Sequence, residues 1–303
     1  MTEVKTHAQL LRNGFAADEI RRLRRAGALV PVRRGAYVSS AVELDRTAAH
    51  RRLVEATTGQ IGAGAVVSHV SAAVVHGLPV PYADLSRVHV TRDREGGGRA
   101  RRWVQVHGTP LAPNEVTSRD GITLTTVPRT FVDVARAHPM TTNVTLGDAV
   151  LRTGVPLAAL VGAVEHAAGR HGVAAARRAL AFLDARSESP GESVSRVLLA
   201  QVGVPAPEPQ LVLHDAAGAF VARVDLGWAA LGVVGEFDGR VKYGRALGAK
   251  ADLEEVLWSE KLREDAIRRL GWVVVRWTWM DLDHPERLAQ RLRAAFAIGR
   301  PMA

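Results

Sequence analysis

Alternating and periodic apolar positions divide the chain into three segments. Residues 1–45 show two short helical patterns followed by two short strands around a basic turn. Residues 46–186 mix helical stretches with alternating strands, and residues 187–303 give the order helix, three strands, helix, strand, helix. The breaker Ser187-Glu-Ser-Pro-Gly191 separates the last two segments. The pattern predicts an α+β multidomain protein: an N-terminal winged helix, a mixed α/β middle domain and a C-terminal α/β domain with a central mixed sheet.

The first segment predicts a DNA-binding domain. Helices over 6–11 and 16–26, followed by strands within 29–38, have the order of a winged helix-turn-helix. In such a domain the second helix enters the major groove, and cations of the wing contact phosphates. The alternative is a small structural domain with a solvated basic helix. The expected DNA contacts are Arg21, Arg22, Arg24, Arg25, Arg33 and Arg34.

The charge distribution favours DNA as a partner. The chain has a net charge of +9, and residues 1–186 hold 25 Lys and Arg against 15 Asp and Glu. Residues 187–303 hold 15 against 16. A basic upstream part favours polyanion binding. Because only four of the 40 basic residues are lysine, biased composition is the competing explanation.

Other bulk features bear on location and chemistry. Cysteine is absent, which excludes disulfides and thiolate metal sites and fits a reducing compartment. The first residues lack the apolar core of a secretory signal, and no apolar run reaches the length of a membrane span. We therefore expect a cytoplasmic protein with no membrane partner.

Two features of the middle segment are interpreted as structural. Arg129 and Asp133 are four residues apart in a predicted helix, which permits an ion pair between them. The histidines show no metal-ligand spacing, and each is interpreted as a packed or surface residue. They are His69, His76, His89, His107, His138, His166 and His171.

The clearest chemical signal is an acidic hairpin in the last segment. Strands over 219–228 and 232–238, joined by a turn centred on Ala230-Leu231, place Asp225 directly opposite Glu236. Asp238 shares the face of Glu236 because strand side chains alternate. Facing carboxylates destabilise a sheet unless a cation compensates them, and Mg²⁺ prefers such ligands. The hairpin therefore predicts metal binding by Asp225, Glu236 and Asp238.

Glu192 and Lys242 extend this candidate site. Glu192 lies in the first turn of the helix after Pro190-Gly191, from where it can complete the acidic set. Lys242 lies shortly after the second strand and is one of only four lysines. The alternative is a different register, with the acids exposed or paired with Arg223, Arg240 or Lys242.

Five stretches of the last segment occur in a characteristic order. They are Glu-Ser-Pro-Gly-Glu-Ser (188–193), Val-Asp-Leu-Gly-Trp (224–228), Gly-Glu-Phe-Asp-Gly (235–239), Glu-Lys-Leu-Arg-Glu-Asp (260–265) and Gly-Trp-Val-Val-Val-Arg-Trp (271–277). In this order they resemble the PD-(D/E)XK nuclease superfamily, and more closely its very-short-patch-repair-type branch, including an uncharacterised family of stand-alone domains.

Three upstream stretches begin at Gly35, Ser68 and Val127. They resemble the AbiEi-type antitoxins of bacteria, in which a winged helix precedes an interaction domain.

The nuclease resemblance implies phosphodiester hydrolysis assisted by Mg²⁺ or Mn²⁺. Asp225 and Glu236 would hold the metal, Glu192 would assist, and a lysine would position the attacking water. The family motif places that lysine at position 238, where this chain has Asp238. Lys242 is the candidate substitute, four residues later.

Three functions are therefore open at this point. The first is a DNA-binding protein with a restriction-endonuclease-like domain, an endodeoxyribonuclease in phage defence or DNA repair. The second is a non-catalytic, antitoxin-type transcriptional regulator whose nuclease-like domain is a scaffold, with a cognate toxin or another protein as partner. The third is a nucleic-acid interaction module that works only with a partner protein. Asp238 favours the second.

Overall fold

The protein folds into two compact units with the predicted α+β character. The computed structural model describes residues 4–39, 44–62, 64–94, 96–239 and 250–301, and the side chains of 250–257 are outside this description. The first unit comprises residues 1–138 and 156–177, and the second comprises 139–155 and 178–303. Among the described residues, no helix has both the length and the apolar character needed to cross a membrane.

The beginning of the first unit has the predicted winged-helix order. Three strands form one sheet in the order β1-β3-β2, with two helices between the first and second strands. Leu10, Ile20, Leu29 and Tyr37 form the small core that holds the helices to the sheet. The elements are β1 (Lys5–Thr6), α1 (His7–Arg12), α2 (Ala17–Arg25), β2 (Val30–Arg33) and β3 (Ala36–Val38).

The rest of the first unit is a six-stranded mixed sheet with helices. The strand order is β6-β7-β5-β4-β9-β8, in which β5 pairs in parallel with β7, and β4 in parallel with β9. The strands are β4 (Ala65–Val67), β5 (Val88–Arg92), β6 (Arg99–Ala100), β7 (Val104–Gly108), β8 (Val116–Arg119) and β9 (Ile122–Thr125). The helices of this unit are α3 (Arg46–Thr58), α4 (His69–His76), α5 (Val127–Ala135) and α7 (Leu157–His166). The intervening helix, α6 (Met140–Arg152), belongs to the second unit.

The second unit contains a four-stranded mixed sheet in the order β10-β11-β12-β13, and only the β12–β13 pair is parallel. Its strands are β10 (Glu208–His214), β11 (Phe220–Trp228), β12 (Val233–Asp238) and β13 (Val273–Thr278). Its helices are α6 (Met140–Arg152), α9 (Pro190–Gln201), α10 (Lys250–Arg269), α11 (Trp279–Leu282) and α12 (Pro285–Ile298), while α8 (Val173–Leu180) spans the division.

The division differs from the expected domain boundaries. Residues 1–45 belong to the same unit as the six-stranded sheet, and α6 joins the second unit although it lies upstream of the boundary expected at 186/187. Asp148 of α6 explains this second difference, because its fully buried carboxylate accepts hydrogen bonds from Ser193 and Arg196 of α9 at 2.7 and 2.9 Å. A buried ion pair of this kind ties two helices that are separated in sequence.

The start of α9 is fixed by its sequence, and this positions the acidic site. Ser189 caps the helix by accepting a hydrogen bond from the Glu192 N–H at 3.2 Å, and Pro190 occupies the first turn. Gly191 is required because an added Cβ would lie 1.9 Å from a ring carbon of Phe237. The first turn of α9 therefore lies directly against β12, and Glu192 is 5% exposed.

Candidate functional site

The predicted hairpin register is confirmed. A short helical turn over Ala229–Leu231 and a left-handed Gly232 connect β11 to β12. The paired residues run from Trp228 and Val233 to Leu226 and Gly235, as the proposed turn requires. One position further, the Asp225 carboxylate accepts a hydrogen bond from the Phe237 N–H at 2.8 Å. The hairpin thus holds Asp225 against the strand that carries Glu236.

Glu192 and Asp225 lie in the same buried neighbourhood as Glu236. One carboxylate oxygen of Glu192 accepts hydrogen bonds from the Glu188 N–H and the Gln210 side chain at 2.8 and 2.9 Å. Burial raises the pKa of Asp225 to about 6, and the charges of Glu192 and Glu236 add to this rise, against the Phe237 hydrogen bond. The hairpin register and the start of α9 thus bring the charges of Glu192 and Glu236 within electrostatic reach of Asp225.

Glu236, however, is paired with two arginines that were not predicted as its partners. Its two carboxylate oxygens lie 2.7 Å from the Arg263 guanidinium and 3.0 Å from that of Arg276. Both arginines also contact Glu260, and Arg276 contacts Glu264. The compensating cations of this site are therefore arginines from α10 and β13.

These pairings do not fit the expected Mg²⁺ site. Among the described residues, the acids of the hairpin do not place three ligand oxygens within 4.8 Å of one another. Mg²⁺ requires near-octahedral oxygen ligation at about 2.0–2.1 Å, so Arg263 and Arg276 would have to leave Glu236 first. Asp238 lies opposite Thr278 in the parallel pair. Lys242 lies outside the described residues, so the structure does not place the expected catalytic lysine.

The arginines expected to contact DNA differ in their surroundings. All four of those in α2, at positions 21, 22, 24 and 25, are exposed, as is Arg34 in the turn of the wing. Arg21 pairs with Asp18, and the Arg24 guanidinium lies 5.4 Å from the centre of the Tyr37 ring. Arg33 instead donates a hydrogen bond to the Thr57 hydroxyl at 2.7 Å. The outer face of α2 thus provides four of the expected cations on one helix.

A histidine cluster was not predicted from the sequence. His69, His89 and His107 place one ligand nitrogen each within 4.8 Å of the others. His89 and His107 do belong to strands that the alternating pattern predicts. These two strands pair in parallel even though a third strand, β6, lies between them along the chain. No local sequence pattern indicates this pairing. Nor does any pattern indicate that the start of α4 lies beside them.

The chain is similar to known proteins whose names state no function. No protein-family model matches the chain. Over 165 residues it is 33% identical to MT2308 and to Rv2248, two uncharacterised proteins of Mycobacterium tuberculosis, and this covers 54% of the chain and 58% of each relative. The chain therefore spans less than two thirds of these relatives. The crystal structure of the RV2827C protein of M. tuberculosis aligns with 70% of the chain and 83% of its own, with 18% identity and a TM-score of 0.38.

Proposed function

We propose that this protein binds DNA through its winged helix and acts in the bacterial cytoplasm as a non-catalytic regulator of the antitoxin type. In this proposal the second unit is a nuclease-like scaffold that binds a protein partner, such as a cognate toxin. The observation that carries it is the pairing of Glu236 with Arg263 and Arg276. A carboxylate held by two guanidinium groups supports a structural role for the acidic hairpin.

DNA binding is supported by the arginines of α2. Because they lie on the second helix of a winged-helix arrangement, they are placed where such domains contact the major groove and its phosphates. Asp18 and Glu19 lie in the first turn, where the helix dipole favours them. The basic residues thus dominate the later part of the helix.

Replacing the four arginines of α2 with glutamine is expected to weaken DNA binding about 100-fold, because phosphate contacts and counterion release are lost. The probe is a fluorescein-labelled, random-sequence DNA duplex, and the measurement is fluorescence anisotropy at several salt concentrations. We also expect the slope of log K against log salt concentration to become shallower by about 3.6, which is about 0.9 for each of the four lost contacts.

A control variant removes the same charge elsewhere. It carries glutamine in place of four other exposed arginines on helices: Arg177, Arg178, Arg268 and Arg269. This variant should bind the duplex with an affinity close to wild type. An equal loss in both variants would show that net charge alone, and not the winged helix, holds the DNA.

The second candidate is a divalent-metal-dependent endodeoxyribonuclease, favoured by the shared burial of Glu192, Asp225 and Glu236. A plasmid-nicking assay with Mg²⁺ or Mn²⁺ distinguishes the two. We expect wild-type protein to leave supercoiled plasmid intact, because Glu236 is already neutralised by arginine. If the wild type nicks the plasmid and both Asp225→Ala and Glu236→Ala lose this activity, the nuclease function is supported and the non-catalytic regulator is rejected.

A further inference from the structure

The histidine cluster of the first unit is built from three separate elements. His69 is the first residue of α4, His89 lies in β5 and His107 lies in β7. In the parallel β5–β7 pair, Thr91 stands opposite His107, so His89 and His107 are diagonal neighbours on one face of the sheet. The start of α4 then brings the His69 ring to 3.7 Å from that of His107, centre to centre.

The rings are held in place by named contacts. His69 Nδ1 lies 2.9 Å from the Ser68 hydroxyl, which also accepts a hydrogen bond from Thr91. His107 Nε2 lies 3.2 Å from His89 Nδ1. His69 also has a φ of +53°, which is uncommon for a residue with a side chain, and such outliers cluster at functional sites.

Asp133 supplies a fourth, unusual group. It is 1% exposed, and one of its oxygens accepts a hydrogen bond from the Arg129 Nε at 3.0 Å. The other oxygen, Oδ2, is buried without a hydrogen-bond partner among the described residues and lies 3.9 Å from His69 Nδ1. A buried carboxylate oxygen without a hydrogen-bond partner destabilises the folded protein by about 1–3 kcal/mol or more. Asp133 Oδ2 therefore points to a ligand that would compensate it.

The cluster lies in a buried environment. Burial lowers the pKa of His69, His89 and His107, and that of His89 falls to about 3. After burial, the nearby ring of His107 lowers the pKa of His69 most, followed by the charges of Arg129 and Arg136.

We propose that His69, His89 and His107, together with Asp133, bind one divalent transition-metal ion of the kind that prefers imidazole, Zn²⁺ foremost. Three nitrogens and one carboxylate oxygen form a suitable ligand set for a tetrahedral ion, whereas Mg²⁺ prefers oxygen ligands alone. Because Zn–N bonds are about 2.0–2.1 Å long, the stacked rings of His69 and His107 must tilt toward a common point when the ion binds.

The site is tested by titrating the chelator-treated full chain with Co²⁺, followed by its visible absorption, and with Zn²⁺ in competition with a chromophoric chelator. We expect one equivalent of either metal and a Co²⁺ spectrum typical of four-coordinate geometry. His89→Gln and His107→Gln should each lower the affinity by at least about 100-fold. Asp133→Asn should lower it by at least about 10-fold.

The matched control is His76→Gln in the same unit. His76 is partly buried, and its ring lies 2.8 Å from the Thr125 carbonyl oxygen, so it shares the burial of the cluster without belonging to it. This variant should keep the wild-type affinity. Circular dichroism shows whether each variant is folded, and X-ray absorption of the Co²⁺-loaded wild type counts nitrogen ligands independently of any variant.

Two results would overturn the metal site. One is wild-type protein that binds less than one equivalent of both Zn²⁺ and Co²⁺, or binds Co²⁺ with an all-oxygen ligand shell. The other is a folded His107→Gln variant with unchanged affinity. In either case the cluster is a set of neutral, hydrogen-bonded core histidines. Neither result bears on DNA binding by α2, so the two proposals fail separately.

Discussion

Replacing Arg129 with methionine is expected to lower the free energy of unfolding of the first unit by about 3–5 kcal/mol. The guanidinium is 2% exposed, and its Nε and Nη1 lie 3.0 and 2.6 Å from carboxylate oxygens of Asp133 and Glu115. Methionine fills much of the same space but leaves a buried carboxylate without its cation. Urea denaturation of wild type and variant, both treated with a chelator, measures the difference.

Two further variants separate this electrostatic cost from other effects. Arg119→Met removes an arginine whose hydrogen bond to the His76 carbonyl is exposed, and it should cost less than about 1 kcal/mol. Asp133→Asn in the Arg129→Met background removes the uncompensated charge and should restore most of the lost stability. A loss in Arg129→Met no larger than that in Arg119→Met would contradict the expectation.

The Arg129–Asp133 pair also shows what local sequence spacing can predict. Residues four apart on a helix face each other, so the ion pair follows from the sequence alone and is confirmed. The hairpin register of β11 and β12 is confirmed for a related reason, because a tight turn fixes the alignment of the strands it joins. In both cases the interacting residues are near each other along the chain.

The arginine partners of Glu236 could not be predicted in this way, because they are distant from it along the chain. Asp225 is eleven positions away in the same hairpin, whereas Arg276 reaches Glu236 only because β13 pairs in parallel with β12. A parallel pair needs a long crossover, here one that includes α10, and no local pattern fixes its register. Proximity along the chain favours nearby cations such as Arg223, which pairs with Glu188 instead.

The histidine cluster could not be predicted from the sequence for the same physical reason. His69 precedes His107 by a long stretch of chain. Their approach depends on a strand order in which β7 pairs directly with β5, although β6 lies between these two strands in the sequence. Metal ligands recognised from sequence are usually close in spacing on one helix or loop. A site assembled from three elements of a mixed sheet leaves no such spacing, so only the fold brings it together.

Replacing Asp225 with asparagine is expected to stabilise the second unit at pH 8, by up to about 3 kcal/mol. Burial and the charges of Glu192 and Glu236 raise the pKa of Asp225 from 3.8 to about 6 in the folded protein. The folded state therefore binds this proton more tightly than the unfolded chain does. The stability it contributes is fully present below about pH 4 and is lost as the pH rises through about 6.

Asparagine keeps the oxygen that accepts the Phe237 N–H and removes the charge. The difference between variant and wild type should therefore grow from near zero at pH 4 to its full size at pH 8, measured by chemical denaturation at each pH. Exposed Asp283→Asn is the control and should leave the pH dependence as in wild type. A variant less stable than wild type at pH 8 would show that the Asp225 carboxylate is compensated in solution. That result would favour a cation-binding site at the acidic hairpin over a purely structural role for these acids.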